Sequence, residues 1–174
     1  DLASTSQQTV SYNYLTLTLS DGAGVENVIG SSSQYNSLYG NDRDNVLTGG
    51  SAGDYFEDRG GDDQIHGGAG DDYAYGGAGD DLLDLGAGDD YYSINTWTYS
   101  DLGSDTLVEA ADADTDTIDL GGMDQGVVLD LSSTAQQTVV SGVWSVTLSS
   151  AAGIENVDGT SYDDTNTGNE RDKI

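Results

Sequence analysis

A nine-residue repeat constrains this chain more than any other feature of its sequence. From His66 to Ser93 the sequence reads HGGAGDDYAYGGAGDDLLDLGAGDDYYS, in which a glycine-rich turn, two aspartates and a few strand-forming residues recur. Seven units align without a gap: SSSQYNSLY (31–39), GNDRDNVLT (40–48), GGSAGDYFE (49–57), DRGGDDQIH (58–66), GGAGDDYAY (67–75), GGAGDDLLD (76–84) and LGAGDDYYS (85–93). Self-similarity at a fixed short period is typical of a solenoid.

Each unit combines a tight turn with a short strand. Positions 1 to 5 are rich in glycine, which tolerates the positive φ of such turns. In a strand at positions 7 to 9, the middle side chain points to the opposite side from its two neighbours. We therefore predict that the residue at position 8 faces the core: Leu38, Leu47, Phe56, Ile65, Ala74, Leu83 and Tyr92.

Two units make one coil of the predicted fold, a flattened spiral with two parallel sheets. Residues 18 positions apart then lie on neighbouring strands, about 4.8 Å from each other. The sequence thus predicts an all-β chain, a parallel β-roll (a β-solenoid) with irregular flanking rungs.

A second, longer repeat surrounds the first. DLASTSQQTV at 1–10 returns as DLSSTAQQTV at 130–139, and SDGAGVENVIG at 20–30 returns as SSAAGIENVDG at 149–159. The offset is 129 positions in both cases, so we interpret the chain as a slice of a tandem array of long composite units. The predicted divisions are a flanking β-strand segment (1–30), the nonapeptide roll (31–93), irregular acidic β rungs (94–129) and the truncated start of the next unit (130–174).

The charge balance excludes several partners. The chain carries 32 Asp and Glu against 4 Lys and Arg, a formal net charge of -28. Nucleic acids and anionic membrane surfaces both attract basic patches, so we expect neither as the main partner. No apolar run approaches the ~18 residues of a membrane span, so we expect no membrane insertion. The absence of cysteine excludes disulfides and thiolate metal sites, and the acidic composition is also compatible with disorder in metal-free water.

The predicted coil stacks aspartates in two columns. Position 6 places Asp54, Asp72 and Asp90 along one edge, and Asp63 and Asp81 along the other. Two carboxylates 4.8 Å apart repel by about 0.9 kcal/mol in water and about 3.5 kcal/mol at an effective dielectric of 20. A column of such pairs would oppose folding by an amount comparable with the stability of a small domain. The alternative interpretation is that these turns are acidic bends exposed to solvent that bind no ion. A single turn of this kind, without the repeated columns, would favour that alternative.

A hard dication between successive turns removes this repulsion. Ca²⁺ takes six to eight oxygen ligands in flexible geometry, which the bare carbonyls and carboxylates of stacked glycine turns can supply. Mg²⁺ demands stricter octahedral geometry, and Zn²⁺ prefers His or Cys. The sequence therefore predicts Ca²⁺, with about three to five ions.

The units resemble the RTX, or haemolysin-type, nonapeptide repeat G-G-x-G-x-D-x-U-x, a Ca²⁺-binding β-helix motif. The match is strong over 67–93, fair over 49–66 and thin over 31–48. The resemblance implies a right-handed parallel β-roll that folds outside the cell, with ions held between the turns of successive coils. The implied pairs are Asp54 with Asp72, Asp72 with Asp90, and Asp63 with Asp81. Turn carbonyls are implied as further ligands: Gly49, Ser51, Gly67, Gly68, Ala69, Gly70, Gly76, Gly77, Ala78 and Gly79.

Several residues depart from the repeat or lie outside it. Asn36 and Asn45 replace the aspartate of position 6, so any sites that they share with Asp54 and Asp63 should be weaker or absent. Other substitutions replace turn glycines: Ala52, Arg59 and Leu85. Position 5 carries aspartates that we expect to face solvent: Asp62, Asp71, Asp80 and Asp89. Asp105 and Asp116 are candidates for an additional, irregular site.

Tyr55, Tyr73 and Tyr91 share position 7 and should form an exposed ladder on one sheet. The favoured interpretation is that these rings only stack across strands. The alternative is a functional stripe that binds a glycan or mediates self-association. His66, the single histidine, has no serine, cysteine or second histidine around it. A filled two-sheet roll offers no cleft to shift a catalytic pKa, so we expect no enzyme activity.

These patterns favour a calcium-binding structural repeat module of a large secreted or cell-surface bacterial protein. Its partners would be Ca²⁺ and the neighbouring tandem units of the same protein. Two alternatives remain: an accessory domain C-terminal to the catalytic domain of a secreted enzyme, and a carbohydrate-binding or adhesion module.

Overall fold

The chain folds into strands joined by short turns. The computed structural model describes residues 15–18, 26–96 and 100–169. The strands are β1 (Leu15–Thr18), β2 (Asn27–Ile29), β3 (Asn36–Tyr39), β4 (Val46–Gly50), β5 (Tyr55–Glu57), β6 (Gln64–Ala69), β7 (Tyr73–Tyr75), β8 (Leu82–Ala87), β9 (Tyr91–Asn95), β10 (Gly103–Val108), β11 (Thr117–Gly122), β12 (Val128–Asp130), β13 (Gln137–Val140), β14 (Trp144–Leu148), β15 (Asn156–Asp158) and β16 (Thr165–Thr167). None of the described residues forms a helix that could span a membrane.

Strands β1 to β11 alternate between two sheets, as the repeat predicts, whereas β12 pairs with β16 in a separate two-stranded sheet. The first sheet has the order β1-β3-β5-β7-β9-β11-β15, and the second β13-β14-β10-β8-β6-β4-β2. All pairs within these sheets are parallel except β13 with β14. Tyr55 pairs with Tyr73 and Tyr73 pairs with Tyr91, a step of two nine-residue units. The predicted all-β parallel roll is confirmed.

The core lies between the two sheets and is built from position 8. Strands such as β5 and β7 alternate half-buried, buried and half-buried residues. Every position-8 side chain is fully buried at 0 % exposure: Leu38, Leu47, Phe56, Ile65, Ala74, Leu83 and Tyr92. The inward direction predicted for the middle residue of each strand is thus confirmed.

Beyond the nonapeptide units the coils lengthen but the sheets continue. Tyr91 pairs with Thr117 and Leu82 pairs with Thr106, although the regular repeat would place both partners earlier in the chain. In β14, Trp144, Val146 and Leu148 are buried on one face. The irregular rungs therefore extend the same core, while the division boundaries at 30, 93 and 129 remain predictions.

The two copies of the long repeat enter different sheets. β1 and β14 occupy equivalent positions of the two copies, as do β2 and β15, yet each pair is split between the first and the second sheet. Residues 1–14, 19–25 and 170–174, which carry parts of the predicted repeat, lie outside the described residues. Within the described part, the second copy is half a coil out of phase with the first.

The turns differ between the two edges of the roll. The repeat predicts a turn over positions 1 to 5, and β5 and β7 indeed end at Glu57 and Tyr75. β6 and β8 instead continue through positions 1 to 3 as paired strand. Gly68 makes this possible, because it adopts φ of 114° and packs directly on the Gly50 carbonyl, where a Cβ would collide.

Candidate metal sites

The position-6 aspartates lie in turns immediately before strands and are almost completely buried. Their exposure is 1–2 % of the maximum, although aspartate is rarely buried without a partner. They stand in the two predicted columns, and each precedes one strand: Asp54 (β5), Asp63 (β6), Asp72 (β7), Asp81 (β8) and Asp90 (β9).

One carboxylate oxygen of each aspartate fixes the preceding coil. Oδ1 accepts a hydrogen bond from the backbone N–H of the residue 18 positions earlier. The donor–acceptor distances are 2.6 Å for Asn36 to Asp54, 2.5 Å for Asn45 to Asp63, 2.6 Å for Asp54 to Asp72, 2.8 Å for Asp63 to Asp81 and 2.7 Å for Asp72 to Asp90. These bonds connect neighbouring coils and orient every carboxylate in the same way.

The second carboxylate oxygen has no hydrogen-bond partner. Oδ2 is buried and unpartnered in six aspartates: Asp54, Asp58, Asp63, Asp72, Asp81 and Asp90. Leaving a buried polar atom unsatisfied costs about 1–3 kcal/mol, and more when the group is charged. The same unpartnered atom recurs along both columns, which makes these oxygens candidate ligands for cations.

Backbone carbonyls border the same spaces. A Cβ built on Gly49 would lie 2.6 Å from the Gly67 carbonyl oxygen and closer still to Oδ2 of Asp54. A Cβ on Gly67 would meet the Leu85 carbonyl oxygen and Oδ2 of Asp72 in the same way. Bare glycine therefore leaves room where a carboxylate oxygen of one coil meets a carbonyl of the next. Such all-oxygen donor sets suit Ca²⁺.

Burial makes the charged form of these carboxylates unfavourable in the absence of a cation. Removal from water, followed by repulsion from neighbouring carboxylates, raises the pKa of Asp63 and of Asp72 to about 8. The pKa of Asp90 rises to about 7 and that of Asp81 to about 6, again chiefly through burial. Burial also raises the pKa of Asp54. A bound cation would reverse this preference.

The predicted turn ligands occupy varied backbone positions. Gly49, Gly67, Gly68 and Ala69 belong to strands, whereas others lie in turns: Ser51, Gly70, Gly76, Gly77 and Gly79. The carbonyl of Ala78 accepts a 2.9 Å hydrogen bond from Gly61 N–H, which leaves one lone pair available. Only Gly67 among them has a carbonyl beside a position-6 Oδ2 in the spaces described above. Ligation by the remaining carbonyls stays a prediction.

Asn36 and Asn45 occupy position 6 in the first coil, and their side-chain amides form hydrogen bonds within their own turns and, for Asn36, to the next coil. The Asn36 side chain accepts from Ser31 N–H and donates to the Ser31 carbonyl and to Oδ1 of Asp54. Oδ1 of Asn45 accepts a 2.8 Å bond from Asn41 N–H. The Asn36 amide is therefore satisfied, whereas Nδ2 of Asn45 is buried without a hydrogen-bond partner. Neither amide carries the negative charge that a carboxylate would bring to a cation, which supports the expectation of weaker or absent sites.

Asp105 and Asp116 extend the two columns past the regular repeats. Asp81 N–H donates to Oδ1 of Asp105 at 3.1 Å, and Asp90 N–H donates to Oδ1 of Asp116 at 3.0 Å. Trp144 Nε1–H binds the other oxygen of Asp105 at 2.7 Å. Each Asp105 oxygen therefore accepts one hydrogen bond, whereas Asp116 lies in a group of acids.

Sequence reasoning missed two acidic side chains that join the columns. Within the described residues, two groups bring three carboxylates within 4.8 Å of one another: Asp58 with Asp63 and Asp81, and Glu109 with Asp90 and Asp116. Asp58 stands at position 1 of its unit, and Glu109 directly follows Val108, which pairs with Asp84 at position 9. Asp58 was visible as an acid at a glycine position. Glu109 gave no signal because the nine-residue period ends before it.

Glu109 is bound more tightly by its surroundings than Asp58. Its Oε1 accepts a 2.5 Å hydrogen bond from the Tyr92 hydroxyl, and its Oε2 accepts from Ala110 N–H at 3.2 Å. Burial raises the pKa of Glu109 to about 8. Glu109 can therefore remain in its position without a cation.

The position-7 tyrosines form the predicted ladder, although they are half-buried rather than exposed. The rings of Tyr55 and Tyr73 stack at 5.6 Å and 11°, and those of Tyr73 and Tyr91 at 5.0 Å and 17°. Tyr39 and Tyr75 pack obliquely against them. Ring faces within the ladder are covered by other rings, which supports cross-strand packing.

Two other expectations concern residues away from the metal columns. The position-5 aspartates are exposed, as predicted: Asp62, Asp71, Asp80 and Asp89. His66 lies beside Asp84, with 3.7 Å between Nδ1 and Oδ2, and its side chain is 39 % exposed. This surface pair provides no buried nucleophile or base.

Comparison with known proteins gives one match. The family model of the RTX calcium-binding nonapeptide repeat matches residues 36–57 and 57–92, in four copies. No curated protein and no solved structure matches the chain. The matched range contains all five position-6 aspartates and the core residues at position 8. Residues 36–92 of this chain are therefore repeats of the RTX calcium-binding nonapeptide family.

Proposed function

We propose that the chain is a structural module of a larger secreted or cell-surface bacterial protein, and that Ca²⁺ binding switches its fold on. The observation that carries this proposal is the row of buried, unpartnered Oδ2 atoms at Asp54, Asp63, Asp72, Asp81 and Asp90. A folded chain without cations must either protonate these groups or leave their charges uncompensated. With cations, the same oxygens become ligands.

The energy available from calcium is sufficient for such a switch. Extracellular modules bind Ca²⁺ with Kd of about 10⁻⁴ to 10⁻³ M. Each site at a free calcium concentration tenfold above its Kd stabilises the folded state by about 1.4 kcal/mol. The three to five ions that we propose would together contribute several kcal/mol, a large share of the stability of an ordinary domain. This dependence would suit a protein that stays unfolded until it reaches a calcium-rich exterior.

Circular dichroism during a calcium titration tests this function. We expect β structure in millimolar Ca²⁺ and its loss when a chelator removes the ion. Mg²⁺ at the same concentration is the matched control, and we expect it to be much less effective because it dehydrates reluctantly. A spectrum unchanged by chelation would contradict the proposal.

The long repeat supports a surface array over an enzyme accessory domain. β14 and β15 form at the positions of the second copy that correspond to β1 and β2. An array of composite units would place such copies in series along one extended roll. The sequence of the full-length protein distinguishes the two, since an accessory module would accompany a catalytic domain.

A glycan-binding role would require tyrosine faces open to a sugar ring. The stacked rings of Tyr55, Tyr73 and Tyr91 favour a packing role instead. A glycan array with Tyr73→Ala as the control variant tests this alternative.

A further inference from the structure

Asp58 is an acid at a position where most units of the repeat carry glycine. It stands at position 1, where neighbouring units carry Gly40, Gly49, Gly67 and Gly76. Its side chain is buried at 0 % exposure, in the turn between β5 and β6. Oδ1 accepts a 2.7 Å hydrogen bond from Gly77 N–H in the next coil, whereas Oδ2 is buried without a partner.

The geometry of position 1 explains where this carboxylate goes. In the turns of Gly49 and Gly67, the direction of the missing Cβ leads to Oδ2 of the position-6 aspartate of the same turn. A side chain at position 1 therefore enters the space beside that oxygen. An acid there brings a third carboxylate to a site that otherwise has two.

Carboxylate oxygens of three buried aspartates meet at this point. Ligand atoms of Asp58, Asp63 and Asp81 lie within 4.8 Å of one another, and all three residues have a buried Oδ2 without a hydrogen-bond partner. Among the described residues, no Lys, Arg or His forms an ion pair with any of them. Adjacent Arg59 extends to the surface, where it pairs with Glu57 at 3.9 Å.

We propose that Asp58 is a third carboxylate ligand of the Asp63–Asp81 turn site, and that this site binds Ca²⁺ more tightly than the two-carboxylate sites on the opposite edge. The inference rests on the proposed calcium function and assigns a residue outside the position-6 pattern. Calcium affinity depends on the number of charged ligands and on the rigidity of the site. Asp58 contributes to both, because its bond to Gly77 N–H holds the carboxylate in place.

The competing interpretation is a protonated Asp58 that serves only as a neutral buried group. Asparagine has nearly the same shape as protonated aspartic acid and retains an oxygen that can accept from Gly77 N–H. Asp58→Asn should therefore preserve calcium affinity if Asp58 is neutral in the working protein, and should lower it if Asp58 is an ionised ligand.

Calcium titration by calorimetry and by circular dichroism compares the wild type with Asp58→Asn, Asp58→Gly and the control Asp62→Asn. Asp62 lies in the same turn but is exposed, so the control removes the same charge without touching the cluster. We expect the tightest site to weaken at least about tenfold in both Asp58 variants, since even the partners behind metal ligands contribute about 10- to 100-fold to affinity. The Asp62 variant should remain within about threefold of the wild type.

The contrary results separate the two proposals. Equal affinities in Asp58→Asn, Asp62→Asn and the wild type would overturn the role of Asp58 and leave the calcium function intact. Failure of both Asp58 variants to fold at saturating Ca²⁺ would also overturn it, because Asp58 would then be a structural residue. Absence of calcium binding by the wild type would remove both proposals together.

Discussion

The backbone N–H of Asp54 donates a 2.6 Å hydrogen bond to Oδ1 of Asp72, which lies one coil further along the roll. This bond uses one oxygen of the Asp72 carboxylate and leaves Oδ2 buried without a partner. The side chain thus has two separable tasks. One oxygen connects neighbouring coils and requires only an acceptor, and the other requires a cation.

Asp72→Asn separates these two tasks. The amide oxygen can still accept from Asp54 N–H, but the negative charge is lost. We expect the variant to be at least as stable as the wild type without calcium, because a buried charge has been removed. It should lose about 1.4 kcal/mol or more of the stabilisation by calcium, the contribution of one site at tenfold its Kd. Chemical denaturation at a series of Ca²⁺ concentrations, with the free energy of unfolding extrapolated to zero calcium, measures both effects.

Asp71→Asn is the matched control for this variant. Asp71 is the exposed neighbour of Asp72, and its Oδ1 accepts a 3.1 Å bond from Asp89 N–H, which asparagine preserves. Calcium should stabilise this variant nearly as much as it stabilises the wild type. Equal losses in the two variants would indicate that overall charge, and not ligation by position 6, governs the response to calcium.

The metal-free chain should become less stable as the pH rises. Burial raises the pKa of Asp63 and Asp72 to about 8 from an ordinary value of 3.8, so the folded state favours their protonated form. This contribution is fully present below about pH 4 and is lost progressively as the pH rises toward 8. Calcium should have the opposite dependence, since ionised carboxylates bind it. Circular dichroism of the metal-free chain from pH 4 to pH 8 tests the first trend, because its β structure should be greatest near pH 4, and thermal unfolding in calcium over the same range tests the second.

High salt separates the effect of these buried carboxylates on stability from the effect of repulsion among the exposed acidic side chains. Repulsion among exposed charges is largely screened at 1 M salt, where the Debye length is about 3 Å. The loss of metal-free stability between pH 4 and pH 8 should therefore persist in 1 M NaCl. A stability that becomes independent of pH in salt would assign the effect to surface charge.

The nonapeptide region was predictable because its period is strict. A fixed spacing of nine determines which residue faces the core, so the sequence alone places Phe56, Ala74 and Tyr92 above one another. The same spacing brings the position-6 aspartates into columns. Beyond residue 93 the coils become longer and unequal in length, and spacing no longer indicates which residues meet. Glu109 joins Asp90 and Asp116 through this irregular path.

Other features depend on distances that sequence patterns do not contain. Asp58 stands at a position where other units carry glycine, but only the direction of its side chain shows that it enters the Asp63–Asp81 site. The extension of β6 and β8 through positions 1 to 3 depends on close packing between Gly50 and Gly68. The exchange of sheets between β1 and β14 depends on the number of strands between them, which the irregular segment conceals.

Leu82 and Leu83 provide a direct test of the register. They are adjacent in β8, but Leu83 is fully buried in the core, whereas Leu82 is half-buried on the outer face. Leu83→Ala should lower the free energy of unfolding in calcium by about 2–5 kcal/mol, the usual range for a buried leucine. Leu82→Ala should cost much less because little core volume is lost. Similar costs at the two positions would contradict the assignment of the inward face.

Among the residues that the structure describes, Arg59 is the one residue other than glycine that has a left-handed backbone conformation, with φ of 76°. It occupies position 2, where Gly68 and Gly86 adopt φ of 114° and 101°. A Cβ in this region costs about 1–2 kcal/mol, whereas glycine adds about 0.4–1 kcal/mol of chain entropy to the unfolded state. Since the backbone strain is larger than this entropy, replacement of Arg59 by glycine should stabilise the turn on balance.

The comparison of Arg59→Gly with Arg59→Ala isolates this strain. Both variants remove the guanidinium and its exposed pair with Glu57, so their loss of charge is identical. Only glycine removes the Cβ that the left-handed backbone opposes. We expect the glycine variant to be more stable than the alanine variant by about 0.5–1 kcal/mol, measured by denaturation in saturating calcium. An alanine variant as stable as the glycine variant would show that this turn relaxes to another conformation. The Arg59 turn would then not share the left-handed backbone of the glycine turns at position 2.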